Sequence, residues 1–142
     1  MNELIEKAYK IVHSLMLEND AFSKWLGIQV SDIALGHCIL HTEIRSDMVN
    51  GFGICHGGIT YSIADSALAF ASNTHGIKSV SIETSISHIM QIKVGDKITA
   101  TAKEKSLINK LGIYEVELTN QNNDLVALFK GTVYRTGKAW EV

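Results

Sequence analysis

The sequence predicts an α+β fold in which a mostly antiparallel sheet wraps around one central helix. Two groups of segments, within residues 28–45 and 80–134, alternate apolar and polar residues as strands do. Between them, residues 57–76 are small or apolar at nearly every position, which is typical of a helix buried in a core. The predicted order is an N-terminal helix, two strands, the apolar helix and four strands. This order suits a sheet that curls around the apolar helix.

The N-terminal helix is predicted from apolar residues that recur at helical spacing between Leu4 and Met16, with charged residues between them. We expect this apolar stripe to dock on the protein's own core, although a membrane-surface or partner-binding helix has the same pattern. Gly27 predicts a turn before the first strand. Gly36 divides residues 28–45 into the two strands of a hairpin.

Four more strands are predicted after the apolar helix, because their segments are rich in β-branched and aromatic residues. Polar or glycine-containing turns separate them, and the last two connections are short enough for hairpins. Strands joined in this way pair antiparallel. The predicted strands are 80–89, 98–107, 114–120 and 126–134.

Length, charge and cysteine content exclude several classes of protein. The 142 residues suffice for one domain with a substantial core but not for two, so we expect a single domain over 1–142. The 13 Lys and Arg are scattered among 15 Asp and Glu, which argues against a nucleic-acid partner. With no signal-peptide layout and no apolar run near the ~20 residues of a membrane span, we expect a cytoplasmic protein without a membrane partner. Cys38 and Cys55 are expected to be free thiols.

The glycine pair Gly57 and Gly58 marks the start of the apolar helix. Backbone N–H groups at a helix start have no partner within the helix, and the helix dipole adds partial positive charge there. Without side chains, the glycines let a ligand carbonyl or anion approach closely. An oxyanion hole, a phosphate cradle and a plain tight turn are all compatible with this pattern. The glycines alone favour the plain tight turn. If they bind a ligand, a carbonyl fits better than a phosphate or a dinucleotide, because the Gly-Lys-Ser/Thr of a phosphate loop and the acidic residue of a dinucleotide site are both missing.

Asp65 lies in the middle of the same apolar helix, where an unpaired carboxylate is unfavourable. The polar residues near it in the sequence are Ser62 and Ser66. One interpretation is a carboxylate that is hydrogen-bonded to a neighbour for structural reasons alone. The interpretation we favour is a catalytic base or nucleophile with a raised pKa.

The spacing of Gly57 and Asp65 makes a prediction about assembly. Eight residues separate them, so a rise of ~1.5 Å per residue places them about 12 Å apart along the helix. A donor and an attacking group must both lie about 3 Å from a reacting carbonyl. If both residues act on one substrate, two antiparallel helices from two subunits must supply them, and the protein must be a dimer or larger.

His56, beside the glycine pair, is compatible with a general base, a hydrogen-bond donor or a metal ligand. A metal site is the weakest of these, since no further ligands stand at suitable spacing. A nucleophilic Cys55 is not expected either, because adjacent Cys and His side chains seldom point together, and no Gly-x-Ser-x-Gly elbow of a serine hydrolase occurs. The other histidines are expected to be ordinary surface or half-buried residues, and they are His13, His37, His41, His75 and His88.

Residues 50–58 read Asn-Gly-x-Gly-x-Cys-His-Gly-Gly, and Ala-Asp-Ser-Ala follows at 64–67. With Val-Gly-Asp at 94–96 and Val-Ala-Leu-Phe-x-Gly at 126–131, this pattern resembles the hot-dog-fold acyl-CoA thioesterases of the phenylacetate-degradation (PaaI-like) family. The resemblance covers nearly everything after Gly27. It implies the hot-dog fold, hydrolysis of an acyl-CoA to a free acid and coenzyme A, and homodimers paired edge to edge, commonly as homotetramers. A non-catalytic acyl-CoA-binding protein is the alternative, and a hot-dog hydratase or dehydratase is a third.

The resemblance also implies roles for single residues. The catalytic acid falls on Asp65, and the amide that polarises the thioester carbonyl falls on Gly57. Asn50 and His56 match positions that orient the substrate or water. Ser66 matches a position where a hydroxyl group assists the acid.

Two further expectations come from the same comparison. We expect Gly58 to contribute to ligand binding. Coenzyme A is part of the expected substrate, and we expect no metal or redox cofactor. The chain departs from the family at residues 86–91, where Ile-Ser-His-Ile-Met-Gln stands in place of an aromatic-Leu-Arg-Pro turn. Contacts between that turn and the nucleotide part of coenzyme A are therefore not carried over.

Overall fold

Six strands form one sheet in the structure, a computed structural model that describes residues 2–142. The strands are β1 (Gln29–Ala34), β2 (His37–Glu43), β3 (Ile77–His88), β4 (Lys97–Ile108), β5 (Leu111–Thr119) and β6 (Leu125–Ala139). They lie in the order β1-β2-β4-β5-β6-β3, and each neighbouring pair is antiparallel. The predicted hairpin and the four later strands are confirmed, and β1 and β3 form the edges of the sheet.

The N-terminal stretch is helical, as predicted, and its first turn is capped by the side chain of Asn2. Ala8 and Val12 are fully buried in the main core, which confirms that the apolar stripe docks on the protein itself. Among residues 2–142, no helix is long and apolar enough to cross a membrane. The segments are α1 (Glu3–Lys10), a π-helical turn (Ile11–Met16) and a 3₁₀ turn (Leu17–Asn19).

A short helix that the sequence did not predict, α2 (Ala21–Trp25), follows the N-terminal stretch. Asp20 begins it by accepting a hydrogen bond from the Ser23 N–H at 2.9 Å. A helix this short shows no apolar period in the sequence. The turn predicted at Gly27 is confirmed, and its φ of 75° lies in the left-handed region that glycine tolerates.

The central helix α3 runs from Gly57 to Asn73 and packs against strands β2 to β6. Leu68 and Phe70 on this helix are at most 1% exposed. The sheet contributes Tyr114 and Phe129, which are fully buried, to the same core. The buried central helix that the sequence predicts is confirmed, and a 3₁₀ turn (Ser46–Met48) leads into the loop before it.

Strands β3 and β6 extend further than the sequence predicts because they pair with each other. β3 begins at Ile77, which pairs with Ala139 at the end of β6. Residues 135–139 contain Gly137 and basic side chains, which do not favour a strand on their own. The pairing with β3 therefore stabilises a strand that local sequence preference would end near residue 134.

Close packing of α3 on the sheet generates a stability prediction. A β-carbon at Gly131 in β6 would lie 2.5 Å from Leu68 Cδ2. We therefore expect Gly131→Ala to lower the free energy of unfolding by about 1–3 kcal/mol, measured by urea unfolding. Gly51→Ala is the matched control, because a β-carbon there meets no atom within 4 Å. Adding Leu68→Ala should cost less in the Gly131→Ala protein than in wild type, and strictly additive losses would contradict this contact.

Candidate active site

The start of α3 leaves one backbone donor open. The N–H groups of Ile59 and Thr60 donate to the His56 carbonyl oxygen at 2.9 and 3.3 Å. The Gly58 N–H donates to the His56 ring at Nδ1, 2.8 Å away. Within residues 2–142, the Gly57 N–H has no acceptor. This donor lies at the positive end of the helix dipole, where it can bind a carbonyl oxygen that gains negative charge.

His56 caps the helix in this structure. Because its Nδ1 accepts from Gly58, the hydrogen of a neutral His56 ring lies on Nε2. The ring is exposed, so Nε2 remains accessible to solvent or a ligand. In the described part of the chain, no group of three or more His, Cys, Asp or Glu side chains is arranged to hold a metal ion.

A cleft of about 310 Å³ opens beside Gly57. Asn50, Thr60, His88 and the segment 89–92 form its other walls. The Asn50 Oδ1 atom accepts hydrogen bonds from the N–H groups of Phe52 and Ile54 at 2.9 and 3.4 Å. The NH₂ group of Asn50 has no hydrogen-bond partner in the described residues. The cleft therefore holds an unused backbone donor at Gly57 and an unused side-chain donor at Asn50.

Asp65 lies on α3 but does not reach this cleft. It lines a separate cavity of about 250 Å³ together with Leu68, Ser81 and Val133. Burial raises the pKa of the Asp65 carboxyl above its ordinary value, and the carboxylate of Asp20 raises this pKa further. In residues 2–142, no side chain or N–H donates a hydrogen bond to Asp65, and no cation pairs with it. The half-buried carboxylate is an unpaired base.

Ser66 is adjacent to Asp65 in the sequence but is directed to a different partner. Its Oγ lies 2.8 Å from Ser23 Oγ, and Ser23 donates its own hydroxyl hydrogen to Asp20 at 2.6 Å. Ser66 is therefore the donor to Ser23. Adjacent residues on a helix do not face each other, which explains why Ser66 makes no hydrogen bond with Asp65.

His88, which the sequence analysis expected to be an ordinary surface or half-buried histidine, is exposed and lines the cleft. A β-carbon at Gly57 would lie 3.3 Å from both Cε1 and Nε2 of the His88 ring, so the imidazole packs directly on Gly57. The sequence signal was present but weak. His88 belongs to the segment 86–91 that departs from the family pattern, yet nothing in the sequence places that segment against the helix start.

Both cysteines are free, as predicted, and the structure shows that both are buried. Burial raises the pKa of the Cys38 thiol to about 12. Burial also raises the pKa of the Cys55 thiol, which lies beside the cleft and contacts Thr60. Neither thiol has the lowered pKa that a nucleophilic cysteine needs.

Comparison with known proteins identifies the protein family to which this chain belongs. Residues 52–127 match the family model of the thioesterase superfamily. The solved structure of the Escherichia coli PaaI protein from the phenylacetic acid degradation operon superposes with a TM-score of 0.92, at 36% identity over 96% of this chain and 98% of that one. The chain therefore belongs to the thioesterase superfamily, has the hot-dog fold and is an enzyme of the thioester-hydrolase class.

Three further comparisons show similarity to known proteins over most of this chain. The acyl-coenzyme A thioesterase PaaI of Escherichia coli K12 is 37% identical over 131 residues, which are 92% of this chain and 93% of that protein. A putative esterase of Archaeoglobus fulgidus is 38% identical over 127 residues, 89% of this chain and 82% of that protein. The structure of smu.793 from Streptococcus mutans, bound to acetyl CoA, superposes with a TM-score of 0.77 at 26% identity, covering 80% of this chain and 91% of that one.

The raised pKa of Asp65 predicts how stability depends on pH. A carboxyl that binds its proton more tightly in the folded state loses stabilising free energy as the pH rises from about 4 through its raised pKa. We expect Asp65→Asn to remove this loss, so that the variant gains stability over wild type progressively across that window. Urea unfolding at several pH values and one fixed protein concentration measures the difference. Asp124→Asn, at an exposed turn, controls for loss of one charge; a difference independent of pH would contradict the prediction.

Proposed function

We propose that the protein hydrolyses an acyl-CoA to a free acid and coenzyme A, at a site that two subunits share. One observation carries this proposal. The Gly57 N–H and the Asp65 carboxylate lack partners within residues 2–142, and they line different cavities of the same chain. A donor for the carbonyl and a base for water are what thioester hydrolysis needs once both reach one substrate. The similarity to PaaI and to a protein bound to acetyl CoA supports an acyl-CoA substrate.

A second subunit brings the two groups together in this proposal. About 12 Å along α3 separates them, whereas a two-fold axis can place each Gly57 opposite Asp65 of the partner subunit, giving two equivalent sites. The β3 edge supports such a dimer. This strand ends the sheet, and its Val80 and Ile82 are 55% and 60% exposed. Unpaired edge strands with exposed apolar residues favour pairing with another chain. We propose a homodimer as the minimal unit and a homotetramer as the assembly.

The proposed reaction begins when the thioester oxygen accepts a hydrogen bond from the Gly57 N–H. Asp65 of the partner subunit takes a proton from water, and the water oxygen bonds to the carbonyl carbon. The carbon–sulfur bond then breaks and the thiolate takes up a proton, which gives a free acid and coenzyme A. The raised pKa of Asp65 makes its carboxylate a stronger base than an ordinary aspartate. Neither a metal nor a redox cofactor takes part.

Asp65 has a second route, in which its carboxylate attacks the carbonyl carbon, the carbon–sulfur bond breaks to release the thiolate, and water opens the resulting anhydride at the Asp65 carboxyl carbon. A single turnover in oxygen-18 water separates the two routes. Label that appears first in the protein carboxylate indicates the anhydride, whereas label that appears only in the released acid indicates attack by water.

The remaining predicted residues have supporting roles in the proposal. The free NH₂ group of Asn50 orients the substrate or the water in the cleft. His56 fixes the helix start by accepting a hydrogen bond from the Gly58 N–H, and Gly58 permits this cap because a β-carbon there would lie 3.1 Å from His56 Nδ1. Ser66 acts on the position of α3 through Ser23 rather than by contact with the acid.

The acyl group is the open part of the substrate. The operon named for the superposed Escherichia coli structure favours an aryl acyl group, and we propose aryl and medium-chain acyl-CoAs as the first substrates to assay. Release of thiol, followed with a thiol reagent across such a panel, distinguishes an enzyme from a protein that only binds acyl-CoA. Binding without thiol release across the whole panel would support the non-catalytic alternative.

Removal of the Asp65 carboxylate is the direct test of the base. We expect Asp65→Asn to lower kcat about 10²–10⁴-fold, because amide nitrogen and oxygen atoms do not take a proton from water at neutral pH. The fold and oligomeric state should be unchanged, as checked by circular dichroism and gel filtration. Asp124→Asn removes an exposed carboxylate from the β5–β6 turn and should keep wild-type kcat. Near-normal turnover by Asp65→Asn would exclude the Asp65 carboxylate as the catalytic base or nucleophile.

Mixing two inactive variants tests whether the site is shared. Gly57→Pro removes the N–H at the first helical position, where proline is tolerated, and the extended backbone of His56 (φ −63°, ψ 135°) suits a residue before proline. A dimer of one Gly57→Pro subunit and one Asp65→Asn subunit retains one intact site, so a random mixture should regain about one quarter of wild-type activity. Gly57→Ala, which keeps the N–H, is the matched control for the added carbon atoms. No recovery after subunit exchange would refute a site between subunits.

A further inference from the structure

The histidine at the end of β3 suggests a second donor at the reacting carbonyl. We infer that His88 donates a hydrogen bond from Nε2 to the thioester oxygen, beside the Gly57 N–H. This inference deepens the proposed function and rests on it, because it assumes that a thioester carbonyl lies in the cleft. It assigns a role to a residue in the segment where the chain departs from its family.

The backbone holds His88 in a defined place. His88 pairs with Ala127 as the last residue of β3. Directly after it, the N–H groups of Ile89 and Met90 both donate to the carbonyl oxygen of Val126, at 2.9 and 3.2 Å. The chain therefore leaves the regular pairing immediately after His88, while its backbone remains attached to β6.

The ring of His88 lies against the one open donor of the helix start. A β-carbon on Gly57 would be 3.3 Å from His88 Nε2 and from Cε1, so the edge of the ring that carries Nε2 contacts the residue whose N–H is free. Both residues line the cleft of about 310 Å³. A carbonyl oxygen that accepts from Gly57 therefore comes within reach of the imidazole.

The His88 ring is also free of protein partners in the described part of the chain. The other histidines all have a partner there. His13 stacks on Tyr9, His37 lies 3.7 Å from Asp32, His41 bonds Ser31 and Thr99, His56 caps Gly58, and His75 bonds Glu104. Of the six, only His13 and His88 make no hydrogen bond or ion pair within residues 2–142, and of these two only His88 lines the cleft.

Chemistry favours a donor at this position over other uses of the ring. Charge that develops on the carbonyl oxygen of a tetrahedral intermediate is stabilised best by preorganised donors, and α3 supplies only the Gly57 N–H. The hydroxyl of Thr60 is buried and contacts Cys55 instead. Nε2 carries a hydrogen in one neutral tautomer and in the imidazolium form, so His88 supplies the missing donor without a change of backbone.

His88→Phe is the test, because it keeps a ring against Gly57 and removes the donor. We expect kcat for acyl-CoA hydrolysis to fall about 100-fold with a smaller change in KM, since the interaction strengthens in the transition state. His88→Gln, which retains an N–H donor, should recover part of the loss. His37→Phe makes the same replacement on the β1–β2 hairpin, outside the cleft, and should keep wild-type kcat. Urea unfolding of each variant checks that the fold is retained.

A spectroscopic measurement separates this inference from the proposed function. The infrared carbonyl stretch of an isotopically labelled acyl-CoA, bound to Asp65→Asn protein to prevent turnover, should lie at lower frequency with His88 than with His88→Phe. If the stretch shifts with His88 but wild-type protein hydrolyses no acyl-CoA of the panel, the His88 hydrogen bond is supported and the proposed hydrolase function is refuted. If His88→Phe changes neither kcat nor the stretch, the His88 hydrogen bond is overturned, whereas the proposed acyl-CoA hydrolysis is unaffected. Failure of the protein to bind any acyl-CoA of the panel would overturn both.

Discussion

Burial of α3 inside the sheet is the constraint on which the rest of the structure depends. A helix that is apolar around most of its circumference must be covered by protein, and strands β2 to β6 provide that cover. Packing is close enough that Gly131 has no room for a β-carbon against Leu68. The cover stops at two places, the helix start at Gly57 and the side that carries Asp65, and both places border a cavity.

The two uncovered places hold groups that are unfavourable in a single chain and suited to acyl transfer. The Gly57 N–H has no acceptor in residues 2–142, and desolvation raises the pKa of the Asp65 carboxyl. His56 limits the loss at the helix start to the Gly57 N–H, because its ring accepts from Gly58 and its carbonyl oxygen accepts from Ile59 and Thr60. The Gly57 N–H is therefore the one open donor at an otherwise well-capped helix start within residues 2–142, and His88 packs against Gly57.

Much of the fold followed from local pattern. The alternation around Gly36 predicted the β1–β2 hairpin, and the apolar run after Gly57 predicted the buried helix; both are confirmed. Local pattern did not predict α2, which is too short to show a helical period, or the end of β6 beyond residue 134, which pairing with β3 maintains. Partners of single side chains were also out of reach. The sequence did not reveal that the hydroxyl of Ser66 bonds Ser23 of α2, 43 residues away in the sequence.

The sequence by itself determined the six strands, the first and central helices and the family. It also singled out the two residues on which the proposed chemistry depends, because glycines at a helix start and a carboxylate in an apolar helix are unusual wherever they occur. It also determined that eight residues of helix separate Gly57 from Asp65, which sets a distance too long for one site. Only the tertiary structure decided which first-turn N–H stays open, which way Asp65 faces, and that His88 lies on Gly57. The physical reason is that periodicity reports on neighbours along one element, whereas these contacts join elements that are brought together by sheet pairing and core packing.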